Sequence, residues 1–136
     1  MRLLRVPAAI ALFALLPAMT AAAAPSWAPA TAMSVTAYAE HSDFLIDAYL
    51  SVPNACYAAR IRTDMGTSGR VFFVEQMKSP SATACSPSPY KCTIISAPIP
   101  LPIPQSISVT SQNKKWKVHV LTEHEPAPMQ PMCRKS

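Results

Sequence analysis

Four cysteines carry the most specific chemistry in this sequence of 136 residues: Cys56, Cys85, Cys92 and Cys133. An even number of cysteines in an exported chain favours disulfide bonds. Six residues separate Cys85 from Cys92, whereas a Cys-x-x-Cys redox centre has two between its thiols. We therefore assign all four cysteines to disulfides rather than to thiol chemistry.

The pairing of these cysteines is open, because four cysteines allow three connectivities. We prefer Cys56–Cys85 with Cys92–Cys133, since each of these bonds would join separate predicted strands. A Cys85–Cys92 bond would instead close a tight loop that contains two prolines. On the chain-entropy model each of these longer closed loops stabilises the fold by about 3–4 kcal/mol in total, which is more than the tight loop would contribute.

Soft ligands for a metal lie late in the sequence, where Met129, Met132 and Cys133 follow His119 and His124. Thioether, thiolate and imidazole groups suit copper(I). Three prolines loosen this segment, however, and the preferred pairing places Cys133 in a disulfide. The preferred interpretation therefore has no metal site and no cofactor. A periplasmic copper-binding protein that uses these methionine, cysteine and histidine residues is the alternative function.

The sequence contains no recognisable catalytic motif. It has no Gly-x-Ser-x-Gly motif, and two glycines in total leave no material for a strained nucleophile elbow. The three histidines, His41, His119 and His124, are predicted in a turn, on an outward strand face and in the tail. We expect that the protein is not an enzyme. A hydrolase whose triad is defined by geometry alone is a third hypothesis, which a broad substrate screen would test.

The first residues have the pattern of a secretory signal. Arg2 and Arg5 precede an apolar run at 8–16, and the small residues at 20–24 form a cleavage site. A spanning helix needs about 20 apolar residues, so an uncleaved anchor is the weaker alternative. We predict a signal-peptide helix at 1–23. The mature protein would then be periplasmic or secreted, with no stable membrane span after cleavage.

Charge patterning argues against a nucleic-acid partner. Loss of the two arginines of the signal lowers the formal charge from +5 to +3, which is a solubility feature. Lys114, Lys115 and Lys117 surround Trp116, a combination found in single-strand nucleic-acid sites. Trp116 falls on the inward parity of a predicted strand, however, and the lysines suit a solvated sheet edge.

Short strands are the elements that must position these residues. From Phe44 to Val52, apolar side chains recur at every second position on one face, a period of two that is typical of a half-buried strand. Related runs give six or seven strands and no convincing helix. The predicted strands are 34–40, 44–52, 57–63, 70–78, 91–96, 106–111 and 115–120.

These strands delimit one predicted domain at 34–123. Residues 24–33 are rich in Ala and Pro without periodicity, and we interpret them as a loose leader. Residues 124–136 form a C-terminal tail that Cys133 would hold.

Glycine and proline mark two special connections within the domain. Gly66 and Gly69 are the only glycines of the chain and predict a tight hairpin turn. Prolines at 98, 100, 102 and 104 cannot donate ladder hydrogen bonds, so this run is predicted to be extended, at a sheet edge or crossing between sheets.

A family resemblance rests on the order of these features. Pro53-Asn-Ala-Cys-Tyr57 is followed by the glycine hairpin, an Ala-Cys85 loop, a Ser-Ile-Ser-Val strand and a Trp-Lys-Val-His-Val strand. Over 34–123 this resembles small exported bacterial immunoglobulin-like β-sandwich proteins in which a Pro-x-x-Cys turn is bridged to a later cysteine. The resemblance implies a Cys56–Cys85 bond and no catalytic residues. The proline run and the second cysteine pair depart from that pattern.

Together these observations predict an all-β fold: a small immunoglobulin-like β-sandwich of six to seven strands, stabilised by disulfides. The predicted function is a non-catalytic binding or interaction module in the bacterial envelope, such as an inhibitor of an exported enzyme. Its predicted partner is an exported or envelope protein.

Overall fold

A computed structural model describes residues 26–67, 69–100, 102–123 and 130–135, and the predicted signal peptide at 1–23 lies outside them. The described part is all-β, as predicted, and contains no helix. Consequently no helix long and apolar enough to cross a membrane occurs within these ranges. The strands are β1 (Ala28–Pro29), β2 (Thr31–Glu40), β3 (Asp43–Val52), β4 (Tyr57–Gly66), β5 (Gly69–Lys78), β6 (Tyr90–Ile95), β7 (Ile99–Pro100), β8 (Ser106–Thr110) and β9 (Lys115–Leu121).

Two long hairpins, β2–β3 and β4–β5, supply most of the sheet, and alternating side chains explain them. In β3 every second residue from Phe44 to Val52 is buried, as the period of two predicted. The β2–β3 turn places His41 at a φ of 57°, in the left-handed region. The β4–β5 hairpin closes at the pair Gly66 and Gly69, so the predicted glycine turn is confirmed.

The strand order is β6-β3-β2-β9-β8-β5-β4, with β1 beside β5 and β7 beside β3. Most neighbours are antiparallel. The two exceptions, β2 with β9 and β5 with β8, are parallel and include two residue pairs each. These short parallel contacts join the two hairpins to the β8–β9 pair, and each lies at the carboxyl end of β8 or β9.

One core lies between the two halves of this sheet. Phe44 from β3 and Phe72 from β5 are each 1% exposed, and their rings meet edge to face with centroids 6.0 Å apart. An aromatic pair of this geometry contributes about 0.5–1.5 kcal/mol beyond its burial. Because β3 and β5 belong to opposite halves, this contact holds the halves together.

The chain before the predicted domain is not loose. Ala28 and Pro29 pair with Gln76 and Glu75 of β5, and Thr31 begins a ten-residue strand. The prediction of a loose leader is therefore wrong for residues 28–33. Alanine gives little hydrophobic signal in a sequence, yet Ala30 and Ala32 in this stretch are almost fully buried.

The C-terminal segment 130–135 also pairs with the sheet. Met132 bridges Thr93 of β6, and Arg134 bridges Ala58 of β4. The strand order is open, with β4 and β6 at its two ends, and this segment lies between them. The Cys92–Cys133 disulfide anchors it, as expected for a tail held by Cys133.

The proline run is extended, as predicted. Ile99 and Pro100 form β7, in register with Phe44 and Asp43 at the edge of β3. Just before it, the backbone N–H of Ser96 donates to the carbonyl of Ile46 at 2.8 Å. The run therefore follows β6 along the same side of β3. At such an edge position the prolines need not donate a ladder hydrogen bond.

Candidate binding cleft

An opening between β5 and β8 is the most distinctive site in the described structure. The two parallel strands pair at Phe72 with Val109 and at Phe73 with Thr110. Before those pairs, β5 remains paired with β4 and β8 remains paired with β9, but the described residues of β5 and β8 do not pair with each other. The strands thus diverge from one point and leave a wedge-shaped cleft.

The cleft has a volume of about 850 Å³. It passes through the sheet from the outer face toward the core, because residues of both strand faces line it. Phe44, Phe72 and Ile107 are buried and form its inner end, whereas Ser106 and Ser108 lie on the outer face of β8. Clefts of this size and apolar character are typical of ligand sites.

Positive charge surrounds the outer part of the cleft. Arg70, Lys115 and Lys117 line it, and no carboxylate does so among its described residues. The Nη1 atom of Arg70 donates to the carbonyl of Pro100 at 2.9 Å, which fixes the arginine beside the proline run. A cleft lined by charges of one sign attracts ligands of the opposite sign.

Trp116 forms one wall and is held in place by its own contacts. Its indole Nε1–H donates to Ser111 Oγ at 3.0 Å, and the ammonium of Lys114 lies 3.5 Å from the ring centroid. Trp116 packs partly against the core, which agrees with its inward parity. Lys115 and Lys117 are exposed on the outer face, as their parity predicts.

The opposite wall, the β4–β5 hairpin, is rigidified by a charged cluster on its outer face. Glu75 accepts from Arg60 Nε at 2.8 Å and from Arg62 Nε at 2.9 Å. The two guanidinium groups stack on the rings of Trp27 and Phe73 at 4.2 and 4.4 Å. Burial raises the pKa of Glu75, but hydrogen bonds and attraction from the two arginines outweigh it and hold that pKa below the ordinary value.

The predicted cysteine residues pair as preferred from the sequence, Cys56 with Cys85 and Cys92 with Cys133. Cys92 and Cys133 belong to the core. These disulfides clamp the fold at a distance from the cleft and do not contribute to its lining.

The Cys92–Cys133 disulfide contradicts the copper hypothesis at one ligand, because the sulfur of Cys133 is bonded to Cys92 and is not a free thiolate. Met132 is 50% exposed, and Met129 and His124 lie outside the described residues. Within the described ranges no cluster of three or more His, Cys, Asp or Glu side chains is placed to hold a metal ion.

The sequence pattern indicated a solvated edge for Lys115 and Lys117 and an inward position for Trp116. It did not indicate that Arg70 and Phe72, on the second hairpin, face them across an opening. The only signal in the sequence was the excess of cations near Trp116 without a neighbouring acid.

No protein-family model, curated protein or solved structure matches this chain.

Proposed function

We propose that this chain is a non-catalytic binding module, and that its cleft takes an acidic segment of an exported partner protein. The observation that carries the proposal is the cleft itself: three cations without a carboxylate among its described lining residues, above an inner end formed by buried apolar side chains. An acidic segment with an apolar side chain complements both parts. Inhibition of an exported enzyme is one role that such a module would serve.

A protein segment suits the cleft better than a compact small molecule. The cleft opens through the sheet between two strand edges that diverge from one point, so its walls flank a ligand rather than enclose it. Its wall residues are also held before binding, Arg70 by Pro100 and Trp116 by Ser111. Preformed walls lower the ordering cost of association and thus favour affinity.

The proposal is tested by selecting from a library of random seven-residue peptides on the purified protein at low salt. We expect the selected peptides to be enriched in Asp and Glu next to an apolar residue. Binding of one selected peptide is then measured by fluorescence polarisation. A rise from 0.05 to 0.5 M salt should weaken it, because exposed charges are screened.

Two matched double variants locate the binding site. Lys115→Glu/Lys117→Glu reverses the charge of the cleft and should weaken the peptide at least about tenfold, which corresponds to about 1.4 kcal/mol. Lys78→Glu/Lys91→Glu makes the same charge change at exposed positions outside the cleft and should leave the affinity within about twofold. Selected peptides without acidic enrichment, or equal effects of the two variants, would refute the proposal.

We also propose that the protein is exported by bacteria to the periplasm or the medium, through the signal predicted at 1–23. Two disulfides are compatible with an oxidising compartment. Amino-terminal sequencing of the protein recovered from the exported fraction should give a start at Ala24. Recovery of the uncleaved chain from the membrane fraction would count against this location.

An immunoglobulin-like relationship stays part of the proposal. Its support is the all-β fold with two faces around one core and the bridged Pro53 to Cys56 turn. The immunoglobulin fold consists of two antiparallel sheets. On this relationship, the parallel contacts of β2 with β9 and of β5 with β8 are additions to that fold.

A further inference from the structure

We infer that the acidic segment binds as an added β-strand along the β5-facing edge of β8. This inference rests on the proposed function, since it specifies how the same cleft would hold the segment. It is carried by the backbone of the cleft walls rather than by their charge.

The direction of the backbone groups in β8 follows from its ladder with β9. The N–H of Val120 donates to the carbonyl of Gln105 at 2.9 Å, next to the pair of Ser106 with His119. In an antiparallel ladder, successive residues point their polar groups to opposite sides. Gln105 and Ile107 therefore face β9, whereas Ser106 and Ser108 face β5, across the opening.

The same reasoning applies to the other wall. The carbonyl of Val74 accepts from Ala30 at 2.9 Å, on the side of β5 away from β4. Phe72 and Arg70, two and four residues earlier, point their backbone groups to that side as well. Phe72 already belongs to the ladder with β8, and Arg70 lies beyond its end. The cleft is thus bounded by two strand edges whose polar groups are directed into it.

The protein already accommodates one short extended segment in this way. Residues 130–135 lie between β4 and β6 and bridge both in parallel. The N–H of Cys133 donates to the carbonyl of Thr93 at 2.8 Å, and the N–H of Ala59 donates to the carbonyl of Arg134 at 3.0 Å. A gap between two strands of this sheet is therefore a place where a third segment pairs.

Side-chain alternation then defines the pattern that the partner must carry. Successive residues of a strand point to opposite faces. One side chain would face Phe72 and Ile107 at the inner end, and its two neighbours would face Lys115 and Lys117 outside. The cleft thus favours an acidic–apolar–acidic sequence over roughly 10 Å, the length of three extended residues.

The experiment uses the blocked peptide Ser-Glu-Leu-Glu-Ser and two N-methylated forms, one methylated at the leucine and one at both glutamates. N-methylation removes a backbone donor and adds bulk at the edge while keeping every side chain. We expect at least one methylated form to bind at least tenfold more weakly than the parent. Ser106→Pro, which removes an N–H directed into the cleft and none directed to β9, should weaken the parent peptide similarly.

Amide hydrogen exchange supplies a direct readout with internal controls. On addition of the parent peptide, the amides of Ser106 and Ser108 should exchange at least tenfold more slowly. Those of Ile107 and Val109, already bonded toward β9, should change little.

The outcomes separate this inference from the proposed function. If the parent peptide binds and depends on Lys115 and Lys117, but both methylated forms bind equally well and Ser106 gains no protection, strand addition is refuted and the cleft remains a binding site. If the parent peptide does not bind and the library yields no acidic peptide, the proposed function fails, and strand addition fails with it.

Discussion

The segment 130–135 is held in the sheet by its disulfide rather than by its own contacts. Three backbone hydrogen bonds attach it to Ala59 and Thr93, and these contribute about 1 kcal/mol each. The burial of Cys133 adds about 1–2 kcal/mol. Ordering the backbone of six residues costs about 1–2 kcal/mol per residue, at least about 6 in total. Without the cross-link the ordering cost is larger, so the segment should detach.

Cys92→Ala/Cys133→Ala tests this reasoning, with Cys56→Ala/Cys85→Ala as the matched control. The disulfides close sequence separations of 41 and 29 residues. The chain-entropy relation predicts stability losses of about 3.9 kcal/mol without Cys92–Cys133 and about 3.6 kcal/mol without Cys56–Cys85. Because the segment detaches in the first variant, the loss for that variant should be no larger than about 3.9 kcal/mol. Urea denaturation should therefore show losses of similar size for the two variants, and it cannot by itself separate them.

Amide hydrogen exchange does separate them. The N–H groups of Ala59 and Thr93 donate to the carbonyls of Arg134 and Pro131. Both amides should exchange quickly in the variant without Cys92–Cys133, although the rest of the core stays protected, and should stay protected in the control. Slow exchange at Ala59 and Thr93 in both variants would refute the conclusion that the disulfide holds the segment.

Three further predictions concern the core, one turn and the charged cluster. Phe72→Ala should lower the free energy of unfolding by about 3–5 kcal/mol in urea, because it leaves a cavity beside Phe44; a loss below 1 kcal/mol would contradict the packing described. His41→Gly should raise that free energy by about 1 kcal/mol by relieving a positive φ, and a lower melting temperature would contradict the strain. Glu75→Gln should cost about 1–3 kcal/mol at pH 7. Since the folded pKa of Glu75 is lowered, the difference from wild type should be complete above its ordinary value of 4.5 and shrink as pH falls through the folded pKa. A difference that does not change between pH 7 and pH 3 would refute a charge-based role.

Local features of the fold were predictable because they depend on neighbouring residues. The alternation in β3 and the two glycines of the β4–β5 turn define their hairpins within about ten residues of chain. The leader was not predictable in this way, because Ala30 and Ala32 carry little hydrophobic signal. What buries them is pairing with β3 and β5. In addition, the Ala32 N–H donates to Asn113 Oδ1, and Asn113 Nδ2 donates to the Ala32 carbonyl.

The cleft depends on contacts between residues far apart in the chain. Arg70 and Lys117 are 47 positions apart in the sequence. They meet at one opening because β5 and β8 touch at two residue pairs and lie apart before them. Nothing in either local sequence specifies where a parallel contact ends. The apolar and cationic residues of the site were visible in the sequence, but their juxtaposition was not.

The position of residues 130–135 constrains the order in which the protein matures. This segment follows every strand in the chain, so the ribosome produces it after all of them. Until it arrives, β4 and β6 both present open edges, which are templates for pairing with other chains. Cys56–Cys85 can form as soon as residue 85 has emerged, whereas Cys92–Cys133 cannot form before residue 133. The newly made chain is therefore most prone to aggregate in the interval between these two oxidations, and rapid oxidation of the second pair should raise the yield of folded protein.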